Sequence, residues 1–157
     1  VDAGARIEIT LCDHEPRALQ HAEARLTPSL PRGAVRSVQL SAVSLLRAST
    51  HGALLKAPEP RFDAVLVLGL FDYLRDGMVR RLMRALHALL RPGGLCLTSN
   101  LNVDNPHRSL MEYVADWEVL HRNPDAFERL MTTDTGFATR ELTADPSRAN
   151  LLFAGRA

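Results

Sequence analysis

The sequence predicts an open α/β sheet in which parallel strands are joined by helices. Two short apolar runs rich in branched residues, residues 63–69 (DAVLVLG) and 95–98 (LCLT), are typical of strands buried on both faces. Between them, apolar residues recur at helical spacing and arginines take the other side: Val79, Leu82, Met83, Leu86 and Leu89 against Arg80, Arg81 and Arg84. Because parallel neighbours need a crossover connection, this strand–helix–strand unit predicts a mostly parallel sheet.

The elements before and within this unit follow from local signals. Residues 7–12 (IEITLC) predict a strand, and Pro16 suits the first position of the helix that follows. Residues 35–40 alternate apolar and polar side chains, which indicates another strand, and a short helix is expected within residues 47–60. In the central unit, Asp76 is predicted to cap the helix, and the run Pro92, Gly93, Gly94 to stop it.

Two helices and a hairpin are predicted downstream. The capping-box pattern from Ser109 to Glu112 predicts a helix start near Ser109. Its packing side would hold Leu110, Val114, Trp117 and Leu120 or His121. Asn123 followed by Pro124 predicts the next helix start. Residues 137–142 and 150–154, separated by a turn at 144–147, predict an antiparallel hairpin that ends the sheet.

Composition fits one domain over residues 1–157 and excludes several classes of function. The formal net charge of +1 gives no field for nucleic acid, and no apolar run is long enough to cross a membrane. Cys12 and Cys96 lie in apolar runs, which favours buried free thiols in a cytoplasmic protein. His14, His107 and His121 lack metal-ligand spacing, so no metal site is expected.

Candidate binding residues follow the strands, because ligands of open α/β sheets bind beyond the carboxyl ends of the strands. Such ends are predicted at Asp13 and His14, at Ser41, Ala42 and Val43, at residues 69–73, and at residues 100–102. Asp13 is the best single candidate, since a carboxylate accepts two hydrogen bonds from a ribose diol. It is equally suited to satisfying backbone N–H groups at the start of a helix.

The other candidates also have two interpretations. Gly69 lets a ligand approach the backbone, or it only permits the turn. Asp72 and Tyr73 are candidates for positioning a substrate, although a tyrosine there is as often half-buried packing. Glu112 and Asp116 would share a helical face, where an ion network with Arg108 and Arg122 is favoured over a polar wall of a substrate cavity.

No G-x-S-x-G, P-loop or G-x-G-x-x-G motif occurs in the sequence. Hydrolase, phosphate-transfer and nicotinamide-dependent oxidoreductase functions are therefore disfavoured.

The element order resembles class I S-adenosylmethionine-dependent methyltransferases, which have a Rossmann-like fold. Residues 62–74 (FDAVLVLGLFDYL) and 89–100 (LLRPGGLCLTSN) are similar to the fourth and fifth strand regions of that family. Residues 105–122 (NPHRSLMEYVADWEVLHR) resemble a bacterial subgroup related to the 3-hydroxypalmitic acid methyl ester synthases. In that subgroup a tyrosine is usual where this chain has His121.

The resemblance implies a cofactor, S-adenosyl-L-methionine, and roles for named residues. Asp13 would hold the ribose hydroxyls, with its neighbour His14 also on the cofactor side, while Ser41, Ala42 and Val43 would border the adenine. Gly69, Leu70 and Phe71 would lie near the methionine part. The acceptor side would be formed by Asn102, His107, Arg108, Glu112, Asp116 and Arg122. The acceptor would be a small molecule, and an arginine could orient it if it were a carboxylate.

The glycine-rich first loop of the family, with the strand before it, is missing from this chain. The favoured hypothesis is a methyltransferase domain truncated at its amino end, so that activity is expected of the longer protein and not of this chain alone. The alternative is a non-catalytic binding or regulatory module on a degenerate methyltransferase scaffold. In that case the apolar surface left by the missing strand would favour a homodimer.

Overall fold

The chain divides into two compact units, Val1–Glu59 and Pro60–Ala157. The structure, a computed structural model, describes residues 7–47, 62–137 and 139–157. A single domain over residues 1–157 stays a prediction. In the described ranges, no helix is long and apolar enough to cross a membrane.

The first unit is a small parallel β–α–β arrangement. Its elements are β1 (Ile9–Asp13), α1 (Pro16–Leu26), a 3₁₀ turn (Thr27–Ser29), β2 (Val35–Gln39) and a second 3₁₀ turn (Ser44–Leu46). Strands β1 and β2 run parallel, with the first and last residues of the two strands in register, and α1 packs against both. The two strands and the helix between them lie where the sequence predicts them.

Helix α1 begins as its sequence requires. Pro16 takes its first position, and the side chain of Glu15 accepts a hydrogen bond from the Arg17 N–H at 3.1 Å. Leu19 and Ala34 are the buried apolar residues in the described part of this unit. The short helix expected within residues 47–60 falls almost entirely outside the described residues.

The second unit is a four-stranded mixed sheet with helices. Its elements are β3 (Phe62–Val67), a 3₁₀ turn (Phe71–Tyr73), α2 (Asp76–Leu89), β4 (Leu90–Leu101), α3 (Arg108–Tyr113), α4 (Pro124–Thr132), β5 (Thr139–Ala144) and β6 (Asn150–Arg156). The strand order is β3-β4-β6-β5: β3 and β4 are parallel, and β6 pairs antiparallel with both β4 and β5. The predicted class is confirmed, an α/β fold whose sheet ends in a hairpin.

The core of this unit lies where α2 and α4 pack against each other and onto the sheet. All five predicted apolar positions of α2 are buried, and α4 contributes three more: Val79, Leu82, Met83, Leu86, Leu89, Phe127, Leu130 and Met131. Phe137 and Phe153 meet edge to face at 6.2 Å, which closes this core against the hairpin.

In the central unit the predicted helix cap is wrong, whereas the helix does end shortly before the predicted stop. Asp76 is the first residue of α2 and not its cap, because its carboxylate is taken by Arg122 at 2.9 Å. Helix α2 ends at Leu89, so the Pro-Gly-Gly run lies inside β4. The run is not regularly extended, because Gly93 adopts a left-handed φ of 78°. The C-terminal residue holds it at the sheet: Ala157 donates its N–H to the Gly94 carbonyl at 2.9 Å.

Helix α3 also differs from its prediction. It has six residues, its first turn has no side-chain cap, and Glu112 pairs with Arg108 at 2.7 Å and not with the helix start. Asp116 adopts a left-handed φ of 50°, so a right-handed helix cannot continue through it. The apolar residues predicted to form its packing side are therefore exposed, one within the short helix and three after it: Leu110, Val114, Trp117 and Leu120.

The prediction of two buried thiols is half right. Cys96 is fully buried in β4, and burial raises its pKa to about 12. Cys12 is exposed. Glu23 of α1 bonds Ser37, the register partner of Leu11, so α1 covers the face of Leu11 and leaves Cys12 on the opposite face.

Candidate functional site

Asp13 ends strand β1 with a partly exposed carboxylate. Its Oδ1 accepts the Glu15 N–H at 2.9 Å and lies 3.2 Å from Nδ1 of His14. The side chains of Asp13 and His14 are 44% and 80% exposed. The carboxylate thus satisfies a backbone N–H at the start of α1, as one interpretation proposes, and it also remains open to solvent.

The turn after β2 is held by its own serines. The Ser41 hydroxyl accepts the Ser44 N–H at 3.2 Å and lies 2.9 Å from the Ser44 hydroxyl. Ser41 and Ala42 are half-buried, whereas the Val43 side chain is 55% exposed. The apolar surface available to a ligand here is therefore that of Val43.

Gly69 follows β3 in a left-handed conformation with a φ of 75°. Its N–H donates to the Ser99 hydroxyl at 2.9 Å, and among the described residues, its two chain neighbours aside, no atom lies within 4 Å of the position that a Cβ would take. The turn requires glycine, and its outer side is open. Leu70 is half-buried, but the Phe71 side chain is fully buried, so only the Phe71 backbone can border a ligand.

Arg122 holds the segment after β3 in place. Its guanidinium is buried and donates to acceptors of three elements: the carbonyls of Phe71 and Leu74, the amide oxygen of Asn100 and the Asp76 carboxylate. The distances to the two carbonyls are 2.9 and 2.6 Å. All three nitrogens are used within the protein, so Arg122 positions this segment, and its predicted place on the acceptor side has no free donor to support it.

Asp72 is buried within this segment. Its Oδ1 accepts the Leu101 N–H at 2.7 Å, and its carbonyl accepts the Leu120 N–H at 2.8 Å. Desolvation raises the pKa of the Asp72 carboxyl, opposed by the Leu101 hydrogen bond and by the charges of Arg122 and His121. Asp72 thus links the ends of two strands to the chain after α3.

Tyr73 and Trp117 form an exposed aromatic pair. The indole N–H of Trp117 donates to the Tyr73 hydroxyl at 2.9 Å, and the two residues are 46% and 58% exposed. Beside the pair is an open cavity of about 330 Å³, lined by Asp72, Tyr73, Glu118, Val119 and Leu120. The predicted positioning candidates Asp72 and Tyr73 lie together here.

Sequence reasoning missed Trp117 and Glu118 as site residues. The sequence predicts Trp117 on the packing side of a long helix, whereas the short α3 leaves it on the surface. The signal was present as a lone tryptophan next to an acidic residue in the run from Asp116 to Leu120.

The remaining acceptor-side candidates are spread over the loop after β4 and over α3. Asn102 is buried, and its amide donates to the Arg148 carbonyl at 3.2 Å. His107 is exposed at the start of α3. Arg108 and Glu112 form the predicted ion pair.

The predicted ion network does not include Asp116 and Arg122. Arg122 pairs with Asp76 and not with Asp116. Because α3 ends at Tyr113, Glu112 and Asp116 do not share a helical face. Asp116 is exposed in its left-handed turn.

Several solved structures share this fold. A Bordetella parapertussis protein described as a possible exported protein superposes with a TM-score of 0.74 at 20% identity, covering 95% of this chain and 53% of that one. Human N-acetylserotonin methyltransferase in complex with SAM gives 0.61 at 16% identity, covering 95% and 40%. N-methyltransferase NodS of Bradyrhizobium japonicum with S-adenosyl-L-homocysteine gives 0.61 at 16%, covering 95% and 66%.

At these identities the superpositions show the fold, and the chain spans about half the length of the first structures that it matches. No curated protein matches the sequence. The sequence of residues 2–96, more than half of the chain, matches the methyltransferase domain family. The chain therefore belongs to the methyltransferase domain family.

Proposed function

We propose that the protein containing this chain transfers a methyl group from S-adenosyl-L-methionine to a small-molecule acceptor. The observation that carries the proposal is the match of residues 2–96 to the methyltransferase domain family, with Asp13 at the carboxyl end of β1 as an exposed carboxylate. The fold shared with structures named as methyltransferases supports it.

The first unit fits the nucleoside part of the cofactor. The Asp13 carboxylate has one oxygen on the Glu15 N–H and keeps acceptor capacity for ribose hydroxyls. His14 is exposed beside it, and the exposed Val43 side chain after the ordered Ser41–Ala42 turn would pack on the adenine.

The second unit fits the amino-acid part of the cofactor. The open side of Gly69 lets a ligand approach the backbone closely, and the backbone of Leu70 and Phe71 follows it. Arg122 fixes this backbone through the Phe71 carbonyl. Rigid placement matters because methyl transfer depends mainly on in-line positioning of the two reacting atoms.

When bound, S-adenosyl-L-methionine supplies a methyl group activated on a sulfonium sulfur. The protein then has to hold the acceptor in line and exclude water, and Asp72 and Tyr73 are the residues proposed to shape that place. Neither Arg108 nor Arg122 is free to hold a carboxylate acceptor, because Arg108 pairs with Glu112 and Arg122 pairs with Asp76.

Calorimetric titration of S-adenosylhomocysteine into this chain and into a form extended upstream of Val1 tests the proposal. Binding by either form supports it, and binding by the extended form alone supports the truncation hypothesis. Binding by neither form contradicts it and favours the non-catalytic module.

The Asp13→Ala variant of the binding-competent form should lose about 1–3 kcal/mol of cofactor affinity, because a charged hydrogen-bond acceptor is removed. Asp63→Ala is the matched control, since that carboxylate is 78% exposed on β3 and pairs with Arg91. An unchanged affinity in Asp13→Ala would remove Asp13 from the site.

A further inference from the structure

We propose that the cavity beside Tyr73 binds a protonated amine of the methyl acceptor. This inference rests on the proposed function and names the class of acceptor. The cavity is the one lined by Asp72, Tyr73, Glu118, Val119 and Leu120, with Trp117 beside it.

The charge of the lining favours a cation. Two of the five lining residues, Asp72 and Glu118, are acidic, and none is basic. Glu118 is exposed, and none of the ion pairs within the described ranges includes it. Its carboxylate is therefore available to a ligand.

The basic groups near Asp72 do not reverse this charge. Arg122 is buried, and its donors are used by Asp76, Asn100 and two carbonyls. His121 is half-buried, and its Nδ1 lies 3.2 Å from the Val119 carbonyl. Neither residue lines the cavity. An anionic ligand would meet Glu118 without a basic side chain to bind it.

The aromatic pair supplies a second reason for a cation. The negative face of an aromatic ring attracts ammonium groups, by about 0.5–1 kcal/mol at exposed sites. Tyr73 is 58% exposed, yet its hydroxyl is fixed by the Trp117 indole, so the ring is held in place without being covered. Leu120, 42% exposed, adds an apolar surface for the carbon part of such a ligand.

The backbone around the cavity is already ordered for binding. The Leu120 N–H donates to the Asp72 carbonyl, and the Asp72 carboxylate accepts the Leu101 N–H. The two sides of the cavity are thus joined by a hydrogen bond before a ligand arrives. Less ordering on binding leaves more of the contact energy as affinity.

Three probes that share a phenylethyl group test the inference: 2-phenylethylamine, the neutral 2-phenylethanol and the anionic 3-phenylpropionate. Trp117 is the single tryptophan of the chain, so its fluorescence reports on this cavity. The amine should bind at least threefold more tightly than the alcohol, and the carboxylate most weakly, because the lining is acidic. A carboxylate that binds as tightly as the amine overturns the inference.

Variants assign the effect to named side chains. Glu118→Gln should weaken amine binding by about three- to fivefold and leave binding of the alcohol unchanged. Glu128→Gln is the control, because Glu128 is an exposed glutamate on α4 outside the cavity. Tyr73→Leu, followed by calorimetry, should also lower the preference for the amine over the alcohol. An unchanged preference in both Glu118→Gln and Tyr73→Leu contradicts the proposal.

The probes are titrated without cofactor, so the result for the amine site can be distinguished from the result for the proposed methyl transfer. Binding of S-adenosylhomocysteine without preference for the amine overturns the acceptor class and leaves methyl transfer standing. Amine binding at Glu118 with no binding of S-adenosylhomocysteine by either form of the protein supports the cation site and contradicts the methyltransferase proposal.

Discussion

Arg122 is the residue on which the geometry after β3 depends most. Its buried guanidinium joins the 3₁₀ turn after β3, the start of α2 and the end of β4 through bonds to Phe71, Asp76 and Asn100. A planar guanidinium with five donors suits several acceptors at fixed positions, and an ammonium does not.

Arg122→Leu should lower the free energy of unfolding by about 3 kcal/mol, because it leaves buried carbonyl and amide oxygens without donors. Arg122→Lys should recover only part of this loss. Urea denaturation followed by circular dichroism measures both variants. Arg91→Ala removes an exposed pair with Asp63 and should cost less than about 1 kcal/mol. Equal losses in the Arg122 and Arg91 variants would contradict the positioning role.

Asp72 and Asp145 should affect the pH dependence of stability in opposite directions. Burial raises the folded-state pKa of Asp72 above its ordinary value of 3.8, so the folded state binds its proton more readily and stability falls as pH rises through that range. The pKa of Asp145 is lowered, chiefly by its hydrogen bond from Asn150, so stability is lost as pH falls through the folded-state value.

Asp72→Asn should therefore gain stability at pH 7 relative to pH 3, since it removes a desolvated charge and keeps an acceptor for the Leu101 N–H. Asp145→Asn should lose stability at pH 7 and little at acidic pH. Urea midpoints at the two pH values measure both. If the effects of the two substitutions on the free energy of unfolding change with pH in the same direction, the assignment of the two pKa shifts is wrong.

At the scale of elements, the sequence predicts those whose signals are local. Helix α2 is predicted correctly because its five apolar residues face one core at helical spacing, and the hairpin because turn residues separate two short strands. The start of β4 is not predictable in this way, since the Pro-Gly-Gly run is held at the sheet by a backbone hydrogen bond from Ala157, which is distant in the sequence.

The residues of the candidate site also divide into those that local sequence signals predict and those that depend on contacts between distant parts of the chain. The residues at strand ends, such as Asp13 and Gly69, follow from the order of the elements. The contact between Trp117 and Tyr73 and the hydrogen bond from Arg122 to the Phe71 carbonyl each join residues more than forty positions apart, and no periodic pattern marks such pairs. Helix α3 is mispredicted because its apolar residues are exposed, and periodicity alone does not distinguish exposed from buried positions.

Asn123 tests the local rules within α4. Its side-chain oxygen accepts the Ala126 N–H at 2.7 Å, and Pro124 takes the first helical position. Asn123→Ala should cost about 1 kcal/mol of unfolding free energy, and Asn123→Asp should retain most of it. Thermal unfolding of both variants measures the difference. An Asn123→Ala protein as stable as the parent would show that packing of Phe127 and Met131 alone fixes this helix.

At the scale of the whole molecule, each unit has a sheet with an edge that its own described residues do not pair. In the second unit, β3 is one of the two edge strands, and Leu66 and Leu68 at that edge are 62% and 57% exposed. In the first unit, two strands and one helix bury only Leu19 and Ala34 among the described residues. A two-stranded arrangement of this kind is marginally stable by itself.

These edges lead to a prediction for a form of the protein extended upstream of Val1. If the extension supplies a strand that pairs with β3, amide hydrogen exchange of residues 62–67 should slow by about tenfold or more, because unpaired backbone donors become hydrogen-bonded. Strand β6, which already has β4 and β5 on its two sides, is the internal control and should not change. A homodimer that pairs through the same edge would instead give protection in this chain that rises with its concentration, as sedimentation at the same concentrations would show. Unchanged exchange of β3 in the extended form would contradict the missing-strand hypothesis, since Leu66 and the edge beside it would then be exposed in the longer protein as well.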